Sequence, residues 1–346
     1  MSVPFIQQYR IARYIMAQRL HKERRYPLVL MLEPLFRCNL ACVGCGKIDY
    51  PEEILDQRLS VRECLYSVDE CGAPVVSIAG GEPLLHEKMP MIVEGIIQRK
   101  RFVYLCTNGL LLKSQIQNYT PSHYFNFSVH LDGNRERHDT SLSRQGVFDV
   151  AVEAIRHACA EGFRVTINCT LYEGVTAKEM AGFFEFVSGL GVEGITVTPG
   201  FSYDTVPCRD VFLKRTVSKQ LFREIFKLSK GRRWNFNHTS LYLDFLAGNQ
   251  TYQCTPWGNP TRNIFGWQRP CYLLDEGYAA SFKELMEETD WDAYCLGRNP
   301  KCANCMLHSG FEATAVTDMC AHPLKALRIS CSGPRTKGPM AKDLAF

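Results

Sequence analysis

The 346-residue sequence has no apolar run of roughly eighteen residues or more, so no segment reads as a membrane span. Residues 1–26 lack both a continuous apolar core and a small-residue cleavage site, so no secretory signal is expected and a cytoplasmic location is. That stretch is also poor in acid: six Lys or Arg stand against one carboxylate, Glu23. Over the whole chain, 40 basic and 36 acidic residues leave a net charge of +4, too small to point to a nucleic-acid partner. With no oxidising compartment indicated, the 16 cysteines read as reduced thiols and metal ligands rather than as a disulfide scaffold.

Another absence concerns three of those cysteines. Cys38, Cys42 and Cys45 are spaced C-x-x-x-C-x-x-C, and the next cysteine is Cys64. A zinc knuckle would prefer paired C-x-x-C units, and no second pair follows nearby. A [4Fe–4S] cube normally takes four thiolates. Three thiolates leave one iron open, and the usual occupant with this spacing is S-adenosylmethionine, chelated through its amine and carboxylate. One electron then splits the sulfonium and releases a 5′-deoxyadenosyl radical.

Short apolar runs alternate with helical patterns. Strands are predicted at Leu28–Leu32, Val75–Ala79, Phe102–Cys106, Tyr124–Leu131, Arg164–Thr170 and Gly194–Thr198. Helices are predicted near 60–71, 87–99, 147–160, 176–189 and 217–230, with capping boxes at Ser60/Glu63 and Thr176/Glu179. Strand–helix units in series imply a parallel sheet with right-handed crossovers. Six units are two short of a closed barrel, so the fold class is α/β, a partial (β/α)6 TIM-like barrel. The expected divisions are a basic amphipathic helix at 1–26, the barrel at 27–232, and a Cys-rich, aromatic-rich region at 233–346.

In parallel barrels the chemistry sits on loops leaving the strand C-termini. The cysteine trio, Gly80-Gly81-Glu82-Pro83, Thr107-Asn108-Gly109 and Asp132 all fall there. Period-two alternation puts Ser128, His130 and Asp132 on one face of the fourth strand, and Thr166, Asn168 and Thr170 on one face of the fifth. These polar faces point into the lumen. In the third strand Val103 and Leu105 look outward and Cys106 looks inward, while Cys169 in the fifth looks outward.

The Cys38–Cys45 run, the Gly80–Glu82 motif and the strand series resemble the radical S-adenosylmethionine (radical SAM) superfamily. More narrowly, LEPLFRCNLACVGCGKIDYP (Leu32 to Pro51), AGGEPLLH (Ala79 to His86) and the Cys-rich C-terminal region resemble the adenosylhopane synthases of hopanoid biosynthesis. That resemblance implies transfer of the 5′-deoxyadenosyl group onto the terminal alkene of diploptene, with a flavodoxin or ferredoxin-type electron donor. It implies cluster ligation by Cys38, Cys42 and Cys45. It places the methionyl amine of S-adenosylmethionine against the backbone of Gly80, Gly81 and Glu82 and the Glu82 carboxylate, with Ser128 and Asp132 on the ribose hydroxyls and Asn168 and Arg144 as candidates for its ribose or carboxylate.

Addition of such a radical to a 1,1-disubstituted alkene leaves a tertiary carbon radical, which a donor must quench. A thiol S–H bond is weaker than a tertiary C–H bond. Cys106 is therefore the expected hydrogen donor, with Tyr104 on the same face as the fallback and ordinary packing as the competing account.

Three further readings concern the ends of the chain. Phe5, Ile6, Tyr9, Tyr14, Ile15 and Met16 among Arg10, Arg13 and Arg19 form a helix that either lies on an anionic bilayer as a peripheral contact or packs on the barrel. The region 234–272 holds nine aromatics, including Trp234, Trp257 and Trp267, which either line a lipid slot or pack a core. Cys302-Ala303-Asn304-Cys305 followed by His308 is a candidate second metal site, and residues 321–346 read as a loosely held basic tail. Two rival functions remain open: a peptide-modifying radical enzyme with auxiliary clusters, and a non-catalytic iron–sulfur or zinc adaptor.

Overall fold

The computed structural model describes residues 3–201, 206 and 210–343. Six parallel strands carry the barrel: β1 (Val29–Glu33), β2 (Val75–Ile78), β3 (Phe102–Thr107), β4 (Phe125–His130), β5 (Arg164–Leu171) and β6 (Gly194–Pro199). They pair in chain order from β1 to β6, so the chain builds a mixed α/β fold on a parallel sheet, as its periodicity predicts. The helices Val61–Cys71 and Ala177–Ser188 both start on complete capping boxes, at Ser60/Glu63 and Thr176/Glu179. Between β3 and β4 the crossover carries only the single turn Leu112–Gln115 and a short 3-10 turn.

The outer faces of the strands are apolar and buried. Val103, Leu105, Phe127, Val129, Ile167 and Cys169 all belong to the main core beneath the helices. Tyr104 and Cys106 keep partial exposure on the opposite face of β3, which agrees with the alternation.

Three strands extend the sheet past β1. β7 (Thr261–Asn263) pairs parallel with β1, and β8 (Gly266–Cys271) and β9 (Leu274–Ala279) follow antiparallel, giving a nine-stranded sheet among the described residues. At the other edge, Ile195 of β6 bridges Phe236.

The N-terminal helix, Phe5–Leu20, packs across the N-terminal ends of the strands. Ile15 is fully buried, Gln7 Nε2 donates to the Tyr104 hydroxyl at 3.0 Å, and Arg10 lies over the Tyr124 ring and donates to the Lys100 carbonyl. Phe5, Tyr9, Met16 and Leu20 remain exposed on one face, so the helix both seals the barrel floor and keeps an apolar stripe in solvent. No helix among the described residues is long and apolar enough to cross a membrane.

One expectation for the C-terminal region is corrected and another is decided. The tail is tied down: Pro323–Ser332 is a helix, Ala341 N bonds to the Gly248 carbonyl, and Asp343 pairs with Arg215 at 2.9 Å and Lys219 at 2.6 Å. Of the two readings of the tryptophans, a lipid slot or a core, the structure favours the core for all three. Trp234 packs edge-on to Phe184, Trp267 is buried against Phe282 with its Nε1 donating to Glu70, and Trp257 meets Trp291. Trp234 and Trp267 thereby join the C-terminal region to the barrel helices through Phe184 and Glu70.

Candidate active site

The loop after β1 carries the three cysteines and is held from both ends. At its start, Gly81 N donates to the Leu35 carbonyl and Glu82 N to the Arg37 carbonyl, so the segment after β2 runs alongside residues 35–37. A Cβ on Gly81 would stand 2.1 Å from the Arg37 oxygen and 2.4 Å from the Phe36 oxygen, which only glycine avoids. At its end, Lys47 reaches Glu33, the last residue of β1, in a buried ion pair of 2.9 Å.

Glu82 is itself buried, and its carboxylate is committed. Oε1 accepts from Leu84 N at 3.0 Å and from the Thr107 hydroxyl at 2.8 Å, and Oε2 accepts from Asn108 N at 2.9 Å. Burial pushes this carboxyl up to about 7, against those three hydrogen bonds. The Asn108 side chain donates to Asn39 at 2.7 Å and approaches the Cys38 sulfur at 4.0 Å. Glu82 thus connects the ends of β2 and β3 to the cysteine loop.

Cys38, Cys42 and Cys45 face one another closely enough for the charges of the other two to act on Cys42 and that of Cys45 on Cys38. Burial is the larger cause that pushes Cys38 up to about 11 and Cys42 higher, while the amides of Leu40 and Asn39 favour the Cys38 thiolate. Among the described residues no group of three or more Cys, His, Asp or Glu is gathered as for a single metal ion. The donor set still fits a cube with one open corner: three thiols on one loop, backbone amides facing a sulfur, and no further cysteine in the sequence before Cys64.

Cys106 sits one layer deeper. Its sulfur lies 3.5 Å from the Ser77 hydroxyl of β2, and Ser128, its register partner on β4, also bonds to it. Burial pushes the thiol above its usual range, so it keeps its hydrogen at neutral pH. Tyr104 on the same face is bonded to Gln7 of the floor helix.

Asp132 is buried between partners: Oδ2 meets His130 Nε2 at 2.7 Å and Ser141 at 3.4 Å, and Oδ1 accepts from Thr170 N at 2.7 Å. Burial disfavours the His130 imidazolium, but the charge and hydrogen bond of Asp132 outweigh it and raise the pKa. Asn168 stands beside His130 in the β4–β5 register. Arg144 lies exposed in the loop after Arg135–Ser141 and is not brought to the lumen face.

Thr107, Asn108, His130 and the Glu33–Lys47 pair were not singled out as site residues. The first three stand on strand ends and lumen faces that the alternation had already marked, whereas Lys47 carries no local signal. His308 does not join Cys302 and Cys305 as the knuckle reading expects; its ring lies 6.0 Å from that of His238.

Residues 32–187 match the profile of the radical SAM superfamily. The match spans a little under half of the chain. The cofactors are those of that superfamily, a [4Fe–4S] cluster and S-adenosylmethionine. Residues 195–329 match a second profile, described as a domain of unknown function (DUF3463). The chain is 28% identical over 162 residues to a GTP 3′,8-cyclase of Aliarcobacter butzleri, covering 45% of this chain and 50% of that one. It is 29% identical over 274 residues to mycofactocin maturase MftC of Mycobacterium tuberculosis, covering 74% of this chain and 65% of that one. The matched stretch is therefore half to about two-thirds of those relatives' length. The fold is similar to that of anSMEcpe with bound AdoMet and Cp18Cys peptide, at a TM-score of 0.59 and 16% identity over 88% of this chain and 99% of that one. Those names speak of a GTP cyclase, a mycofactocin maturase and a peptide-bound protein, and none speaks of the lipid adenosylation that the narrower resemblance implies.

Proposed function

We propose that this radical SAM protein adds the 5′-deoxyadenosyl group to the terminal alkene of diploptene, as an adenosylhopane synthase does, and that Cys106 completes the reaction. The observation that carries the reading is the protonated, half-buried Cys106 thiol between Ser77 and Ser128 on the lumen face. In this reading Cys38, Cys42 and Cys45 hold three irons of the cluster, which supplies the electron that cleaves S-adenosylmethionine. The backbone of Gly80, Gly81 and Glu82 meets the methionyl amine, because the Glu82 carboxylate is already engaged with Leu84, Thr107 and Asn108. Ser128, Asn168 and the Asp132–His130 pair line the ribose side.

The bond that forms joins the 5′ carbon to the terminal alkene carbon. The hydrogen atom that then saturates the tertiary carbon comes from the Cys106 S–H. An electron from a flavodoxin or ferredoxin-type donor, together with a proton, restores the thiol. The exposed stripe Phe5, Tyr9, Met16 and Leu20, with Arg13 and Arg19 on the same helix, supports access to a membrane-resident substrate at an anionic surface.

A second reading, peptide modification, is favoured by the comparisons, since the peptide-bound anSMEcpe fold spans 88% of this chain. One experiment separates the readings: anaerobic reconstitution with reductant and S-adenosylmethionine, with and without diploptene. A lipid–adenosyl adduct is expected. Release of 5′-deoxyadenosine without adduct would overturn the lipid reading in favour of the peptide one. No nucleoside at all would leave the adaptor.

A further inference from the structure

Phe5, Leu20 and Leu324 are each more than four-fifths exposed, beyond any other large hydrophobic side chain among the described residues. All three lie on two helices, Phe5–Leu20 and Pro323–Ser332. Together these helices carry seven of the fourteen exposed large hydrophobic side chains, so the exposure is concentrated rather than scattered.

Each helix is held by one face and bare on another. On Phe5–Leu20, Gln7 and Ile15 are buried, while Phe5, Tyr9, Met16 and Leu20 fall within about 60° of one another around the axis. Arg13 and Arg19 flank that stripe, one on each side, and the helix contains no acid. On Pro323–Ser332, Ala326 is buried and its carbonyl accepts from the Ser240 hydroxyl at 3.2 Å, while Leu324, Leu327 and Arg328 are exposed. This helix contains no acid either.

The two helices adjoin although they stand at opposite ends of the chain. Arg19 Nη2 donates to the Thr317 carbonyl at 3.2 Å, and its charge reaches the Cys320 thiol. From there the chain passes through His322 straight into Pro323–Ser332. The acid at this junction, Asp318, is engaged by Lys325 at 2.7 Å and His322 at 2.8 Å. Lys22, Arg24, Arg335 and Lys337 are exposed beyond the helix ends. A second copy of this surface would set basic residues against basic residues, which disfavours self-pairing. Exposed apolar side chains beside a basic rim instead match the headgroup and acyl boundary of an anionic bilayer.

We propose that Phe5–Leu20 and Pro323–Ser332 together form a docking face for an anionic phospholipid bilayer. Phe5, Met16, Leu20, Leu324 and Leu327 enter the acyl boundary, and Arg13, Lys22 and Arg328 meet the headgroups. The proposal rests on the lipid reading for its purpose, since a water-insoluble alkene is collected from a membrane, and it makes the last helix half of the contact.

The test is co-sedimentation of the full chain with vesicles of mixed phosphatidylcholine and phosphatidylglycerol, and with phosphatidylcholine alone, without diploptene or S-adenosylmethionine. The wild type should pellet with the mixed vesicles and bind the neutral ones at least about tenfold more weakly. Leu20→Asp and Leu324→Asp should each weaken binding to the mixed vesicles at least about tenfold. Arg13→Gln and Arg328→Gln should each weaken it about fivefold. Met91→Asp, at an exposed apolar position on the helix Met89–Gln98, should leave it unchanged. Circular dichroism checks that each variant is folded. A wild type that stays in solution with the mixed vesicles would overturn the proposal. So would a dimer that Leu20→Asp dissolves in the absence of vesicle binding, and so would undiminished binding by Leu324→Asp. Vesicle binding without lipid adduct in the reconstitution assay would sink the substrate reading alone, and adduct without vesicle binding would sink this proposal alone.

Discussion

Asn108 joins two parts of the site through its two nitrogens: its backbone amide donates to Glu82 at 2.9 Å, and its side chain donates to Asn39 at 2.7 Å, next to Cys38. The carboxylate after β2 therefore acts on the cysteine loop through the end of β3.

Glu82→Gln places an amide NH2 against donors that the carboxylate accepts. The apo chain should lose about 1–3 kcal/mol of stability in urea unfolding. The pH dependence has a definite sign. The folded carboxyl is pushed up to about 7 from an ordinary 4.5, so its contribution is full below the lower value and is lost as pH rises through the upper one. The wild-type apo chain should weaken between about pH 5 and pH 8, and the Gln variant should show a flatter profile over the same range. Equal slopes would count against the assignment.

Lys47→Met leaves Glu33 buried without its cation, since the pair is 14% and 3% exposed. The loss should be about 3–5 kcal/mol, and adding Glu33→Gln should restore much of it. Urea unfolding of the two single variants and the double variant measures the coupling.

Gly81→Ala forces a methyl onto two backbone oxygens that cannot give way. A destabilisation of about 2–4 kcal/mol is expected, with lower iron uptake by the Cys38–Cys45 loop. Gly182→Ala, inside the helix Ala177–Ser188 where a Cβ meets nothing within 4 Å, is the control and should stabilise by about 0.5–1 kcal/mol without lowering iron uptake.

Cys106→Ala and Cys106→Ser should both cleave S-adenosylmethionine at close to the wild-type rate. Formation of saturated adduct should fall at least about tenfold, equivalent to about 1.4 kcal/mol in the barrier. Serine keeps the size and polarity but holds its hydrogen too firmly, so a packing role predicts that serine rescues and a donor role predicts that it does not. Product analysis by mass spectrometry decides between them.

Much of the barrel was legible because its signals are local. The strands β1 to β6, the two capping boxes and the inward face of Cys106 each depend on residues within one turn or one strand. Alternation also marked Ser128, His130 and Asp132, although nothing local shows that Asp132 spends its carboxylate on His130, Thr170 and Ser141. β7 was not legible, because three residues are too few for a period and its partner β1 is distant in sequence. The tryptophans stayed ambiguous for a related reason: a large apolar side chain suits a ligand slot or a core equally, and only its neighbours decide.

By itself the sequence determined the order of the barrel strands, the face each presents to the lumen, and the spacing of Cys38, Cys42 and Cys45, all of which follow from backbone periodicity and short-range chemistry. Only the tertiary structure decided that Gln7 closes the barrel floor at Tyr104, that Lys47 pairs with Glu33, and that Cys254 and Cys271 share a cavity with Cys302 and Cys305. Those contacts join segments far apart in the chain. They are set by how the elements pack, and no local pattern of residues encodes them.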